Sequence, residues 1–403
     1  MADRKAVAHL LRRATFGPTA EEVDAAEKAG YEATLTALFD TSKPDAGAAR
    51  APVPRLGSDK KERQQAVAWW LDRMALADHQ LHEKLTFFWH GHWATSVQKV
   101  KSAALMLQYQ QTLFTTALGD RAVQVKAMLR DPALIIWLDG EKNTAKAPNE
   151  NLGRELMELF TLGIGHYTED DVKAAARALT GWQVDRTTGT ARFNPKRHDA
   201  KPKTILGRTG NFDADGLADI LLAQPANAEF IAARLWFRYA GNNNAPAEAT
   251  QHNDTAGMLK AILASEEFKQ TQGQLVKQPV EWLVGAHRQL KTRPSDLPNQ
   301  PNVLNQLGQL PLQPPSVGGW PADAAWLTTS ATQVRLRAAQ QLAGKANVDR
   351  LTAVPAAQRI DALARLLVVD AFTARTTEVL KTVANDPRKL LALGLASPEY
   401  AVM

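Results

Sequence analysis

The chain has 403 residues, with 48 Lys and Arg against 42 Asp and Glu, so its formal net charge is +6. Hydrophobic residues make up 45% and charged residues 22% of the chain, which excludes an intrinsically disordered protein. Cysteine is absent, which excludes disulfide frameworks, thiolate zinc sites and cysteine nucleophiles.

The chain opens MADRKAVAHLLRRATFG, without an apolar run of the signal-peptide type. No stretch of about 18 apolar residues follows, so we expect no membrane span. As given, the sequence predicts a cytoplasmic protein, or a periplasmic or extracellular one if a leader has been removed. Nucleic acid is the least favoured partner, because most basic residues are scattered among acids and no nucleic-acid-binding motif is present.

The first half of the chain reads as amphipathic helices. Thr19 is placed to cap a helix that has Glu21 and Glu22 in its first turn and Gly30 near its end. Apolar residues at helical spacing predict helical structure over 63–89, and further helices over 102–118 and 122–129. The pair Asp131-Pro132 then breaks the pattern.

The second half continues this pattern around one irregular segment. A helix is predicted over 149–161, and Thr168 with Asp171 forms an N-cap signature for the next helix. Residues 183–211 lack helical period, and we interpret them as an irregular insert with a small hairpin at 185–193. Helices follow over 213–240, 245–270 and 276–290 and in the C-terminal part. The sequence thus predicts a mainly α protein, a large orthogonal multi-helix bundle in a single domain over 1–403.

Two histidines near residue 90 form the first candidate cluster. Glu83 and His90 are two helical turns apart and share a face, and His92 lies just beyond Gly91. H-x-H pairs often bind metals, because two imidazoles can be directed at one cation. The alternative is a histidine pair at a helix end, hydrogen-bonded to backbone or carboxylate.

A pair of acids forms the second cluster. Glu155 and Glu158 lie on one face of the predicted helix, with Glu155 close to its buried edge. A buried carboxylate needs an arginine, a histidine or a metal ion beside it. Helical bundles that bind paired metals draw Glu and His from several helices, but ion pairing with Arg177 or Arg154 explains the same pattern.

The third cluster lies in the insert. His198 is a candidate proton donor or ligand there, and Lys201 and Lys203 are candidate anion-binding residues. A solvated basic loop is the alternative. Several of the ten Trp residues lie beside these polar motifs or turns, where aromatic faces can stack on sugars, bases or cations. We expect most of the ten to pack in the core or at its rim.

Several strings, taken together, resemble the bacterial DUF1800 family. The matching strings are HLLRRATFGPT (9–19), EKLTFFWHGHWATS (83–96), PNENLGRELMELFTLGIGHYTEDDV (148–172), AARALTGW (175–182), RHDAKPKTILG (197–207), VKQPVEWLVGAHRQL (276–290) and PPSVGGWP (314–321). They run in family order over nearly the whole chain. Members commonly carry Asn between the two histidines, where this chain has Gly91.

The resemblance implies a mostly helical fold but no established activity, so no catalytic residue can be transferred. Many members look exported and are encoded beside sulfatase-like proteins. Export and this gene neighbourhood imply a function in the cell envelope or on polysaccharides, with a sulfatase-like protein as the partner.

The residues favour a metal-dependent enzyme, a hydrolase before an oxidoreductase. His90, His92, Glu155 and Glu158 would hold zinc, iron or manganese, and Glu155, Glu158 or His198 would act as acid or base, with His198 over the mouth of the site. Glu83 and Asp139 would support the ligands. The alternative is a non-catalytic envelope or polysaccharide-associated protein that binds a glycan or small molecule.

Overall fold

The computed structural model describes residues 3–56, 60–241, 245–297 and 299–403. Helices dominate, which confirms the prediction of a mainly α fold. The helices before the insert are α1 (Arg4–Ala14), α2 (Ala20–Ala29), α3 (Tyr31–Leu38), α4 (Ala46–Ala49), α5 (Lys60–Leu76), α6 (Gln80–His92), α7 (Val97–Val100), α8 (Ala103–Thr116), α9 (Arg121–Met128), α10 (Pro132–Trp137), α11 (Asn151–Glu155), the π-helix Leu156–Thr161 and α12 (Glu169–Ala178).

The helices after the insert are α13 (Ala214–Leu222), α14 (Pro225–Tyr239), α15 (Thr255–Ala264), α16 (Glu266–Lys269), α17 (Pro279–Leu290), α18 (Gln300–Gln306), α19 (Thr329–Lys345), α20 (Asp349–Thr352), α21 (Arg359–Leu367), α22 (Ala374–Lys381), α23 (Pro387–Leu395) and α24 (Pro398–Ala401). Short 3-10 segments occur at Gly140–Lys142, Pro195–Arg197, Ala247–Gln251, Pro294–Asp296, Asp323–Trp326 and Ala356–Gln358. No helix in these ranges is both long and apolar enough to cross a bilayer.

Local capping fixes two of the predicted helix starts. The Thr19 hydroxyl accepts a hydrogen bond from the Glu22 N–H, and the Glu22 carboxylate accepts one from the Thr19 N–H. Thr168 and Asp171 form the same reciprocal capping box at the start of α12. Each box satisfies backbone donors that a helix N-terminus otherwise leaves unpaired.

The helical pattern over 63–89 belongs to two helices, α5 and α6, and not to one. The Asp45 carboxylate accepts hydrogen bonds from the backbone N–H groups of Asp78 and His79, at 2.8 and 3.0 Å, in the connection between them. The Gln80 side chain donates to the carbonyls of Met74 and Ala77, which closes the end of α5. The break therefore depends on a carboxylate more than thirty residues away.

The insert contains two small antiparallel hairpins. Strands β1 (Trp182–Asp185) and β2 (Thr190–Phe193) pair with Trp182 opposite Phe193, close to the predicted hairpin. The second hairpin, β3 (Lys203–Ile205) and β4 (Arg208–Gly210), was not predicted. Lys203 is buried, and its ammonium donates to the carbonyls of Asp199 and Phe212, so it anchors the insert rather than presenting a charge to solvent.

One large cluster of buried hydrophobic residues runs from Leu10 to Tyr400. Its bulkiest members are fully buried tryptophans, namely Trp70, Trp89, Trp93, Trp236 and Trp282. These five tryptophans are core residues, which agrees with the prediction that most of the ten pack in the core or at its rim. This core places the end of α6 beside α14, the start of α17 and the segment 309–323.

Candidate functional site

A glycine-rich turn packs directly on the end of α6. This helix ends at His92, after which Trp93 leaves the helical region at φ −84° and ψ 38°. A Cβ added to Gly319 would lie 2.4 Å from the carbonyl oxygen of Gly91, and Gly319 has a φ of +84°. Both observations require glycine at 319. The string PPSVGGWP thus brings Trp320 against the H-x-H pair.

His90 has no nitrogen free for a ligand. Its Nε2 accepts a hydrogen bond from the N–H of Leu312 at 2.9 Å. Its Nδ1 lies 3.3 Å from the hydroxyl of Tyr109, which donates its own proton to the carbonyl of Trp93. His90 is therefore a neutral imidazole that donates from Nδ1. Complete burial lowers its pKa to about 3, so it stays neutral at physiological pH.

His92 is held differently. Its Nε2 donates to the carbonyl of Phe160 at 3.0 Å, which leaves Nδ1 as the unprotonated nitrogen. That Nδ1 is buried and has no hydrogen-bond partner among the described residues. Phe160 lies in the last turn of the π-helix, where carbonyls lack partners within the helix. Burial, with a contribution from Arg234, lowers the pKa of His92 to about 3, so Nδ1 keeps its lone pair at neutral pH.

His92 lines a half-open cavity of about 140 Å³. The walls come from α6, α14, the approach to α17 and the segment 309–323. The lining residues are Phe87, Phe88, Gly91, His92, Arg234, Phe237, Arg238, Leu275, Val276, Gln278, Gln309, Gly318, Trp320, Ala322 and Asp323. Three of the strings that carry the family resemblance therefore meet at one cavity, with aromatic rings on its apolar side and cationic side chains from α14.

Arg234 lacks a counter-charge. Its guanidinium forms no hydrogen bond or ion pair with any residue in the described part of the chain, and its nearest ring is Phe230, 5.8 Å away. Burial lowers the pKa of Arg234, because the charged form is poorly solvated there. It remains charged at neutral pH, since arginine does not lose its proton in proteins. An unpaired cation on a cavity wall favours an anion in that cavity.

Arg238, one helical turn further on, belongs to a buried charge cluster. The Glu281 carboxylate pairs with Arg238 at 2.9 Å and with the ammonium of Lys84 at 2.8 Å, and all three side chains are buried. It also accepts the backbone N–H of Gln278 at 2.9 Å. Burial opposes ionisation of Glu281, but Arg238 and Lys84 outweigh it and lower its pKa to about 2.

Glu155 and Glu158 are the two acids of the predicted metal centre. Within the described ranges, no three His, Asp or Glu side chains are arranged to hold a metal ion. Glu155 is half-buried, and its pKa is raised by burial and by the nearby Glu158. Glu158 accepts a hydrogen bond from Tyr167 at 3.0 Å. The ion pairs of Arg154 and Arg177 go to other carboxylates, namely Glu150, Glu169 and Asp199. Arg154 still acts on Glu155 electrostatically and partly opposes the rise of its pKa.

The remaining sequence candidates lie elsewhere. Asp139 pairs with Lys99 and Lys142, and Glu83 is fully buried against Arg73. His198 bonds through Nδ1 to Thr180, at the insert, and is not part of the cavity lining. These residues stabilise their own segments.

Sequence reasoning missed the residues of α14. Arg234 and Arg238 are four positions apart in the segment FIAARLWFRY and therefore share a helix face with aromatic neighbours. That spacing was a readable signal, but it lies outside every string that carried the resemblance.

The model of one protein family, DUF1800, described as a protein of unknown function, matches residues 9–402. No curated protein and no solved structure matches the chain. Because the match covers nearly the whole chain, this protein belongs to the DUF1800 family.

Proposed function

We propose that the protein binds an anionic ligand in the cavity at the end of α6. The observation that carries this proposal is the unpaired guanidinium of Arg234 on the cavity wall. A half-buried cation without a counter-charge is costly unless a ligand supplies one. Guanidinium groups bind carboxylate, phosphate and sulfate oxygens through paired N–H donors.

The apolar wall adds a second feature to the ligand. Phe87 and Trp320 stack with ring centroids 5.8 Å apart, and Phe237 is 40% exposed beside Arg234. Flat aromatic surfaces next to a cation suit a ligand that joins an anionic group to a ring. Among the glycans and small molecules that the sequence suggests as ligands, we therefore favour those that carry an anionic group. Ligand binding of this kind corresponds to the non-catalytic alternative that the sequence offers beside an enzyme.

The test compares two ligands of the same shape. Benzoate is an anion and benzamide is its neutral counterpart, so their difference in affinity reports the charge. Isothermal titration should give tighter binding of benzoate, and Arg234→Gln should remove that preference. Arg337→Gln, which changes an exposed arginine outside the cavity, serves as the matched control. Equal affinity for both ligands, or unchanged benzoate binding by Arg234→Gln, would contradict the proposal.

Hydrolysis is the second candidate function, and one observation favours it. His92 combines a free Nδ1 lone pair with an Nε2 fixed by the Phe160 carbonyl, which is the arrangement of an oriented base or metal-ligating imidazole. The four-residue metal centre is less favoured, because both nitrogens of His90 are already bonded. Elemental mass spectrometry tests this candidate. Stoichiometric zinc, iron or manganese that is lost in both His92→Ala and Glu155→Gln would support the metal-dependent hydrolase.

A further inference from the structure

We infer that the ligand of this cavity carries two negative charges on one group, as a phosphate monoester does. The inference rests on the proposed function and concerns the charge of the ligand rather than its presence. It follows from the balance of charges at the cavity and in the core directly behind it.

Four cations face this region of the described chain. Arg234 and Arg238 line the cavity, while Lys84 and Arg13 lie behind it with no exposed surface. The Lys84 ammonium donates to the carbonyls of Arg12 and Thr15, which flank Arg13 closely in the chain, so Arg13 lies beside the same cluster. Glu281 and Asp323 both act electrostatically on its guanidinium. Its guanidinium donates to the carbonyl of Thr271, and its buried Nε and Nη1 have no hydrogen-bond partner in the described part of the chain.

Two carboxylates oppose these four cations. Glu281 is 2% exposed and shared between Lys84 and Arg238. Asp323 lines the cavity and accepts the backbone N–H of Val276 at 3.1 Å. Neither carboxylate pairs with Arg234, and the histidine of the cavity is neutral. The balance leaves two positive charges in a poorly solvated region, and a single bound dianion neutralises both.

The neighbouring charges do not remove this surplus. Arg12 is balanced by Asp370 at 2.8 Å. Lys277 is buried with its ammonium 3.7 Å from the centre of the Tyr400 ring, and it forms no ion pair with a carboxylate of the described residues. Any positive charge that Lys277 carries increases the surplus.

The donors at the cavity also suit a group with several oxygens. Arg234 offers all of its N–H groups, since none is bonded within the described chain. Trp320 also lines the cavity, and its buried indole N–H has no hydrogen-bond acceptor among the residues that the structure describes. A phosphate presents three strong acceptor oxygens and matches such donors better than a carboxylate does.

The test uses phenyl phosphate and phenyl sulfate, which have the same shape and the same ring. At pH 7 and fixed ionic strength the phosphate is mainly a dianion, whereas the sulfate is a monoanion. Lys84, whose pKa burial lowers to about 8, keeps most of its charge at this pH. Titration calorimetry should show phenyl phosphate binding at least about tenfold more tightly. Arg234→Gln should weaken both ligands. Asp323→Asn, which keeps the oxygen that accepts from Val276 but removes a negative charge, should strengthen the phosphate more than the sulfate.

The outcomes separate this inference from the proposed function. Equal affinities for the two ligands, both reduced by Arg234→Gln, would overturn the dianion and leave anion binding standing. If neither ligand binds a protein sample that melts cooperatively, and is therefore folded, both the dianion inference and the proposed anion binding are overturned. A tenfold preference that Asp323→Asn increases would support the dianion.

Discussion

His92 donates its Nε2 proton to the backbone carbonyl of Phe160 across 3.0 Å, and this bond decides which nitrogen of the imidazole is left with a lone pair. The acceptor lies at the end of a π-helix, where the backbone carbonyls are not used within the helix. π-Helical turns often occur at functional sites. His90, two residues earlier, has both nitrogens bonded. The two histidines of the H-x-H pair thus have separate roles, one inside the core and one at the cavity.

Gly319→Ala should destabilise the protein. The added Cβ would lie 2.4 Å from the Gly91 carbonyl oxygen, and the residue would keep a φ of +84°. We expect a loss of about 2–4 kcal/mol in the free energy of unfolding, measured by urea denaturation. Gly318→Ala is the matched control, because its Cβ would meet only the Ser316 hydroxyl, at 3.6 Å. Equal losses for the two variants would show that the contact with Gly91 is not tight in solution.

Glu281→Gln should cost about 3–5 kcal/mol at pH 7, because it leaves Lys84 and Arg238 buried without their carboxylate. Since the pKa of Glu281 falls from 4.5 to about 2 on folding, its stabilising effect is complete above pH 4.5 and is lost as the pH falls toward 2. Urea denaturation at pH 7 and pH 3 should therefore show a smaller difference between variant and wild type at pH 3.

Asp170→Asn is the control for this experiment. Asp170 pairs with Lys173 on the surface, where the two side chains are 91% and 61% exposed. Exposed pairs contribute less than about 1 kcal/mol. A loss for Glu281→Gln no larger than the loss for Asp170→Asn would show that the buried cluster is not a stabilising unit.

The parts of this fold that could be predicted are those set by neighbouring residues. The capping boxes of Thr19 and Thr168 depend on a residue three positions away, and both helix starts are confirmed. The break between α5 and α6 was missed because it depends on Asp45, which lies in a different segment. No glycine or proline marks it in the sequence.

In the candidate site, too, the features set by neighbouring residues could be predicted and those set by distant residues could not. The sequence correctly identified an H-x-H pair at a helix end, but the partners that distinguish the two histidines are far along the chain. Leu312 is 222 residues from His90, and Phe160 is 68 residues from His92. Arg234 was missed because an arginine without a counter-charge looks the same in sequence as a paired one. Only the positions of the surrounding carboxylates reveal the difference.

The protein should lose stability as the pH falls from 6.5 toward 4. Burial is the main cause that lowers the pKa values of five histidines, to about 3 for His9, His90 and His92 and about 4 for His287, and below the ordinary value for His82. Each takes up a proton on unfolding below pH 6.5, so acid favours the unfolded chain. Burial raises the pKa of Asp131 to about 6 and of Glu83 to about 7, and it also raises that of Glu155, which opposes this trend. The five imidazoles outnumber the three carboxylates, so the loss of stability in acid prevails.

His90→Gln should reduce this pH dependence. Removing one buried imidazole lowers the slope of unfolding free energy against pH by about 1.4 kcal/mol per pH unit around pH 5. Chemical denaturation at several pH values between 4 and 7 measures the slope directly. His252→Gln, which changes an exposed histidine, should leave the slope unchanged. A variant of His90 that retains the wild-type slope would mean that this imidazole titrates equally in both states.

Arg234→Gln and Arg238→Gln should have opposite consequences, although the two residues are one turn apart on α14 and line the same cavity. Arg238→Gln removes a partner of buried Glu281 and should lower the free energy of unfolding by about 3 kcal/mol. Arg234→Gln removes no ion pair and should change it by less than about 1 kcal/mol. Thermal denaturation and benzoate titration of both variants check this contrast. Stability lost in Arg234→Gln with benzoate affinity intact would make Arg234 a structural residue, whereas affinity lost with stability intact identifies it as the anion-binding side chain.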